Sequence, residues 1–168
     1  MSFPHLLEKN SGGEYPSDKY ELTLLIPKSE DIKPLEAALL EVAKQAFPGK
    51  VNSLSDLSHN PIGDGDAKEL DGYKGCWIIK GKSKFRPGIV GPDVQPLLDP
   101  QDAVYGGSYA RMSLKPLSYL QAGRPGVTWA LQNVQWLGHG ERFGGGSRPE
   151  NDFDQIQDED GIDGQPNL

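Results

Sequence analysis

The run AVYGGSYARMSLKPLSYL at residues 103–120, the link QAGRPG at 121–126 and the run VTWALQNVQWL at 127–137 decide the fold. From Tyr109 to Lys115 the side chains alternate in the period of an extended strand with two unlike faces. Ala110, Met112 and Leu114 can then enter a core while Tyr109, Arg111, Ser113 and Lys115 share the opposite face. The Gly and Pro residues of the link have hairpin-turn chemistry. Residues 103–120 and 127–137 are therefore expected to be two strands joined by a turn.

Outward from this pair, Tyr20 to Ile26 (YELTLLI) reads as a strand stopped by Pro27, and Phe3, Leu6 and Leu7 suggest a short first strand. Ser29, Glu30 and Asp31 offer an N-cap and an acidic first turn. Ile32, Leu35, Ala38, Leu39, Val42 and Ala46 then recur at helical spacing as far as Pro48-Gly49, which predicts one helix at about 30–46. Residues 50–72 lack sustained periodicity and read as a long loop with one short strand near Val51 to Leu54. A strand resumes over Tyr73 to Lys80, Lys82 to Pro87 reads as an exposed turn or strand extension, and Pro96 to Asp102 as a connection. With 21 Gly and 14 Pro in 168 residues, short strands and turns are favoured over long helices. The expectation is a mainly β fold: an OB-fold-like five-stranded barrel with one helix, over residues 1–143, followed by a tail at 144–168.

The formal charge of −7 argues at first against a polyanionic partner. Its distribution reverses that reading. Residues 149–168 hold seven acids and no base, leaving 17 bases and 17 acids in 1–148. Within that span residues 1–71 are net −6 and residues 72–148 net +6. Beyond the Gly-rich stretch at 144–146 there is too little apolar surface to drive ordering, so a disordered acidic tail is expected. The single cysteine, Cys76, excludes an internal disulfide and fits a reducing cytoplasm. No apolar run approaches the roughly 18 residues of a membrane span, and no signal-peptide pattern opens the chain.

Two segments, Gly72 to Pro92 and Ala103 to Gly140, contain no acid at all. The first carries Lys74, Lys80, Lys82, Lys84 and Arg86, all of one parity, so a regular strand through this stretch would project them together. The second carries Arg111, Lys115 and Arg124. A face that pairs aromatic rings with cations suits a nucleic acid held without sequence preference, because bases stack on rings while cations track phosphates. Tyr109 supplies such a ring, and Phe85 lies in the basic stretch where it can stack on a base; most other aromatics, Trp77 among them, are expected in the core. An ordinary solvated face explains the same alternation, and edge-strand lysines that block aggregation explain the same lysines. The missing acids favour phosphate binding.

Enzymatic readings find little support. His5, His59 and His139 are scattered, no phosphate-loop or nucleophile-elbow motif occurs, and Cys76 sits in an apolar strand. The loop at 63–71 collects four carboxylates but does not fit calcium-loop spacing, and turn chemistry explains it. No cofactor or metal is expected.

Seven segments in order, YELTLLIPKS (20–29), PIGDGD (61–66), RPGIV (86–90), QPLLDPQDA (95–103), VYGGSYARMS (104–113), VTWALQNVQ (127–135) and FGGGSRPENDF (143–153), resemble a phage family of single-stranded-DNA-binding proteins long catalogued as a domain of unknown function. The resemblance implies an OB-fold, a non-catalytic role in DNA replication or recombination in the cytoplasm of the infected bacterium, and an acidic C-terminus that contacts replication or recombination proteins. On that basis Tyr109 and Arg111 become the best candidates for the DNA face, joined by Lys115, Lys80, Lys82, Lys84, Phe85 and Arg86. In the tail, Asp152, Phe153, Asp154, Asp158, Glu159 and Asp160 are the candidate partner contacts. Family members commonly stop near the acidic-Phe motif matching Asn151-Asp-Phe153, whereas this chain continues to Leu168, which leaves open whether Phe153 or the final residues make that contact.

The charge map adds a mechanism: a tethered acidic tail can occupy the basic groove at an effective concentration on the order of mM until DNA displaces it. Two rivals stay open, a protein-binding OB module and a metal-dependent nuclease built on Asp64, Asp66 and Asp71. A homodimer also stays open.

Overall fold

In the computed structural model, which describes residues 1–12 and 14–144, one antiparallel hairpin organises a seven-stranded sheet. Its arms are β6 (Tyr109–Gln121) and β7 (Arg124–Gly138), closed by the two-residue loop Ala122-Gly123. Both loop residues have positive φ, 48° and 78°, the backbone of a type I′ turn whose twist matches that of the flanking strands. The link was expected to span 121–126, but the strands run closer together because Arg124, Pro125 and Gly126 all pair with β6.

The remaining strands assemble on the other edge of β7. β4 (Cys76–Ser83) lies parallel to it through Gly81 and Lys82, and β5 (Gly88–Val90) lies parallel through Gly88 to Val90. β2 (Tyr20–Pro27) is antiparallel to β4, β1 (Ser2–His5) antiparallel to β2, and β3 (Ile62–Asp64) antiparallel to the start of β4. Seven strands thus replace the five expected; β1, β3 and β5 are only three or four residues long, too short to carry a periodic signal. Backbone bonds between Met1 and both Gly107 and Ser108 tie the β1 end of the sheet to the segment entering β6.

The helix α1 (Lys33–Ala46) begins later than expected. Ser29 does not cap it: the N-cap is Ile32, Pro34 fills the first turn, and the Lys33 amide donates to Asp31 Oδ1 at 3.0 Å. Leu39 and Ala43 are fully buried, packing with Val51, Leu57, Ile62, Ile79, Val127 and Trp129. A second cluster gathers Met1, Leu6, Leu22, Leu131 and Val134, and Met112 and Leu114 touch both. Of the inward half of the expected alternation in β6, Met112 and Leu114 are therefore what the two cores share, and Ala110 packs against the second alone.

Three further segments differ from expectation. Val51 to Leu54 is not a strand; Leu54–Asp56 forms a 3-10 turn because Ser53 and Asp56 satisfy each other's backbone amides as a capping box. The strand expected from Tyr73 starts at Cys76, since Tyr73 to Gly75 make the turn into it. The strand expected from Ala103 starts at Tyr109, since Pro100–Ala103 form a single helical turn, α2. The acidic loop is structural: Lys28 Nζ sits between Asp64, at 2.7 Å, and Asp66, and lies 4.8 Å from the Trp77 ring centre. Hydrogen bonding to Lys28 holds both carboxyls below the usual carboxylate range and raises the lysine. Trp77 is accordingly half-buried, core on one side and cation-capped on the other.

Gly65 makes this clamp possible. A Cβ there would stand 2.0 Å from the Tyr73 carbonyl oxygen and 2.6 Å from that of Cys76, both backbone atoms that cannot swing aside. Gly65→Ala is expected to cost about 1 to 3 kcal/mol, as overpacking does, read as a lowered denaturant midpoint with unchanged m-value. A wild-type midpoint would show that the turn relaxes freely.

Candidate nucleic-acid interface

The candidate interface is built from the face of β6 that alternation leaves outside. Tyr109, Arg111, Ser113 and Lys115 are all exposed there, and Tyr109 keeps 64% of its surface accessible. Across the ladder, Arg111 faces Gln135, Ser113 faces Asn133 and Lys115 faces Ala130. Ala130 is also the partner of Lys82 on the far edge of β7. Lys115, Ala130 and Lys82 therefore form one row across β6, β7 and β4, with only a methyl group between the two cations. In register, that row continues to Glu21 on β2.

Lys80 and Lys82 lie on one face of β4, as their shared parity requires, but the other three basic residues of that stretch do not join them in the strand. β4 ends at Ser83, so Lys84, Phe85 and Arg86 form an exposed loop leading to β5, and Lys74 lies in the turn before β4. The ladder is lost because Pro87 has no amide to donate and the Phe85 amide bonds locally to Ser83 Oγ at 3.1 Å. Phe85 projects from this loop 82% exposed. Since β4 pairs with β7 through Gly81 and Lys82, opposite Trp129 and Ala130, and β5 resumes opposite Asn133, the loop between them flanks the stretch of β7 next to the Lys115 row.

Below that row lies a groove of about 530 Å³ lined by Lys19, His59, Asn60, Ile78, Lys80, Lys82, Tyr119 and Thr128, among others. Tyr119 lies flat over Gly126, where any Cβ would meet its ring at 2.4 Å, and its hydroxyl is 2.8 Å from His59 Nδ1. Lys19, His59 and Tyr119 were not expected here. Tyr119 has the parity of Tyr109 and Lys115, and that was the one signal available for it; Lys19 and His59 arrive from distant segments.

Sequence reasoning also missed Glu21. It is a carboxylate only 2% exposed, held by Lys80 Nζ at 3.1 Å, Lys82 Nζ at 3.6 Å, Asn10 Nδ2 at 2.9 Å and Ser17 Oγ at 2.9 Å. Burial alone would raise its pKa, but the hydrogen bonds from Asn10, Lys80 and Ser17, with the charge of Lys80, together bring it below the usual range. Lys80 and Lys82, two cations of the candidate face, thus share an anion.

The nuclease constellation does not assemble. Asp64 and Asp66 hold Lys28, Asp71 Oδ2 accepts from the Gly144 amide at 3.2 Å, and among the described residues no group of three or more His, Cys, Asp or Glu side chains could hold a metal. Among the described residues, too, no helix is long and apolar enough to cross a membrane. The tail residues Asp152, Phe153, Asp154, Asp158, Glu159 and Asp160 lie outside the described residues.

A mainly β sheet with one substantial helix is a fold this chain shares with phage proteins of known structure. The chain is similar to the single-stranded DNA-binding protein from bacteriophage Enc34 solved in complex with ssDNA, with a TM-score of 0.69 and 26% identity over 85% of this chain and 84% of that one. It is also similar to a second structure of the single-stranded DNA-binding protein from bacteriophage Enc34, with a TM-score of 0.68 and 25% identity over 90% and 83% of the two chains. A protein from Acyrthosiphon pisum secondary endosymbiont phage 1, named putative protein p50, is 29% identical over 93% of this chain and 89% of its own length. The family described as Enterobacter phage Enc34, ssDNA-binding protein, matches residues 1–162, and the chain belongs to that non-catalytic family.

Proposed function

We propose that this chain binds single-stranded DNA along the outward face of β4, β7 and β6, as a non-catalytic component of phage DNA replication or recombination in the host cytoplasm. The observation that carries the reading is the row in which Lys82 and Lys115 flank Ala130, on the face that also presents Tyr109 and Arg111. Lysines and arginine track phosphates, and Tyr109 offers a stacking platform of a kind worth about 1 to 3 kcal/mol per base. Lys80 extends the track into the groove at 78–82, and Lys84, Phe85 and Arg86 border it as an exposed rim. Family membership and the related phage protein captured with ssDNA support the assignment.

The acidic residues of 149–168 complete the scheme as a tethered competitor for this face. DNA displaces the tail, and Asp152, Phe153, Asp154 and the Asp158-Glu159-Asp160 run become free for a replication or recombination protein. Salt-titrated binding to oligo-dT, oligo-U and duplex, with the full chain and with residues 1–148, tests both parts. Preferential, salt-sensitive binding to oligo-dT is expected, and tighter binding by the 1–148 chain. Equal affinity of the two chains would sink tail competition alone; no shift of oligo-dT at low salt would sink the DNA assignment and leave a protein-binding module.

A further inference from the structure

Glu21 is the one buried carboxylate of the interface among the described residues, and its surroundings are specific. The β2–β4 register sets Glu21 directly opposite Lys82 and Thr23 opposite Lys80, so both ammonium groups lean over the same carboxylate from the groove wall. A carboxylate is costly to bury unless paired and hydrogen-bonded. Two cations and two neutral donors, Asn10 and Ser17, meet that requirement. The lysine side chains are not consumed by it. They remain 45% and 38% exposed, and each ammonium has donors to spare for a second acceptor.

We infer that Glu21 is an internal counter-ion of the DNA interface, an anion built into the protein that Lys80 and Lys82 share in the free state and that DNA phosphates must compete with on binding. The inference rests on the DNA-binding reading of this face. Its consequence is quantitative. Two lysines balanced by one carboxylate contribute less to affinity and to salt dependence than two free lysines, whereas Lys115 has no ion-pair partner among the described residues and contributes fully. Such tempering suits a protein that has to be displaced from the strand it covers.

The test is Glu21→Gln in the full chain, a change that keeps the shape and removes the charge: the amide oxygen still accepts from Asn10, and the amide nitrogen donates to the Ser17 hydroxyl, reversing that bond. Binding to oligo-dT over a salt series is expected to tighten at the lowest salt, with the slope of log K against log salt steeper by about 0.7 to 1.4, one to two further phosphates at about 0.7 each. An unchanged or shallower slope in a variant with wild-type circular dichroism overturns the inference. Should that variant fail to fold, Lys82→Gln and Lys115→Gln decide the matter. Lys115→Gln is expected to make the slope shallower by about 0.7, and Lys82→Gln by clearly less; equal losses overturn it. If the wild-type chain does not bind oligo-dT at any salt, the DNA assignment itself has failed, an outcome distinct from all of these.

Discussion

Reversing two charges on β6, Arg111→Glu together with Lys115→Glu, is expected to lower the affinity for oligo-dT roughly a hundredfold at low salt and to flatten its salt slope by about 1.4. Both side chains are exposed on the outward face, opposite Gln135 and Ala130, and neither contributes to the two apolar clusters. Stability should therefore stay within about 0.5 kcal/mol of wild type, the usual range for surface changes. This separation of effects matters, because a folding defect would also abolish binding. Fluorescence anisotropy with a labelled oligonucleotide, alongside a denaturant melt of the same samples, reads both quantities. Near wild-type affinity in the double variant would move the binding face elsewhere on the molecule while leaving the family assignment untouched.

The largest expected loss of stability falls on Trp129. It is 3% exposed and packs among Leu39, Ala43, Ile79 and Val127 where the helix meets the sheet. Trp129→Ala should cost about 3 to 5 kcal/mol, the range for an aromatic core truncation, out of the 5 to 15 kcal/mol typical of a whole domain. Trp129→Phe is expected to cost far less. The indole Nε1 is buried with no hydrogen-bond acceptor among the described residues, so the phenyl ring removes an unsatisfied donor as well as some volume. Urea melts of the three proteins give the ranking; a Phe variant as damaged as the Ala variant would mean that the bicyclic shape, rather than apolar filling, is what this position requires.

The hairpin was legible because each of its signals is local. Alternation in 109–115 sorts residues by face without reference to any other segment, and Gly123 marks the turn. The same reasoning found α1 but misplaced its start, since Pro34 and Asp31 do locally what a Ser29 cap was expected to do. The basic stretch at 74–86 was half legible. Parity grouped Lys80 with Lys82, but nothing local announced that β4 would end at Ser83 and leave Lys84 and Arg86 on a loop. Glu21 was invisible for a different reason. In sequence it belongs to the acidic first half of the chain, some sixty residues from the lysines it joins, and only the antiparallel register of β2 with β4 brings them together. Averaging charge over segments, which revealed the basic half, conceals a pairing that crosses between the halves.

The row through Lys115, Ala130 and Lys82 runs at right angles to three hydrogen-bonded strands, and its spacing is fixed by the ladders beneath it. A surface of this kind is preorganised: no backbone has to be ordered when a ligand arrives, and the conformational entropy lost there is confined to side-chain rotamers, roughly 0.5 to 1.5 kcal/mol for each long side chain immobilised. On the proposed reading of this face, the flexible member of a complex is the nucleic acid, which adapts to the width of the sheet instead of the sheet adapting to it. If DNA lies on this face as proposed, stiff, self-stacked sequences are expected to bind more weakly than pliant ones, because the strand has to follow a path the sheet imposes.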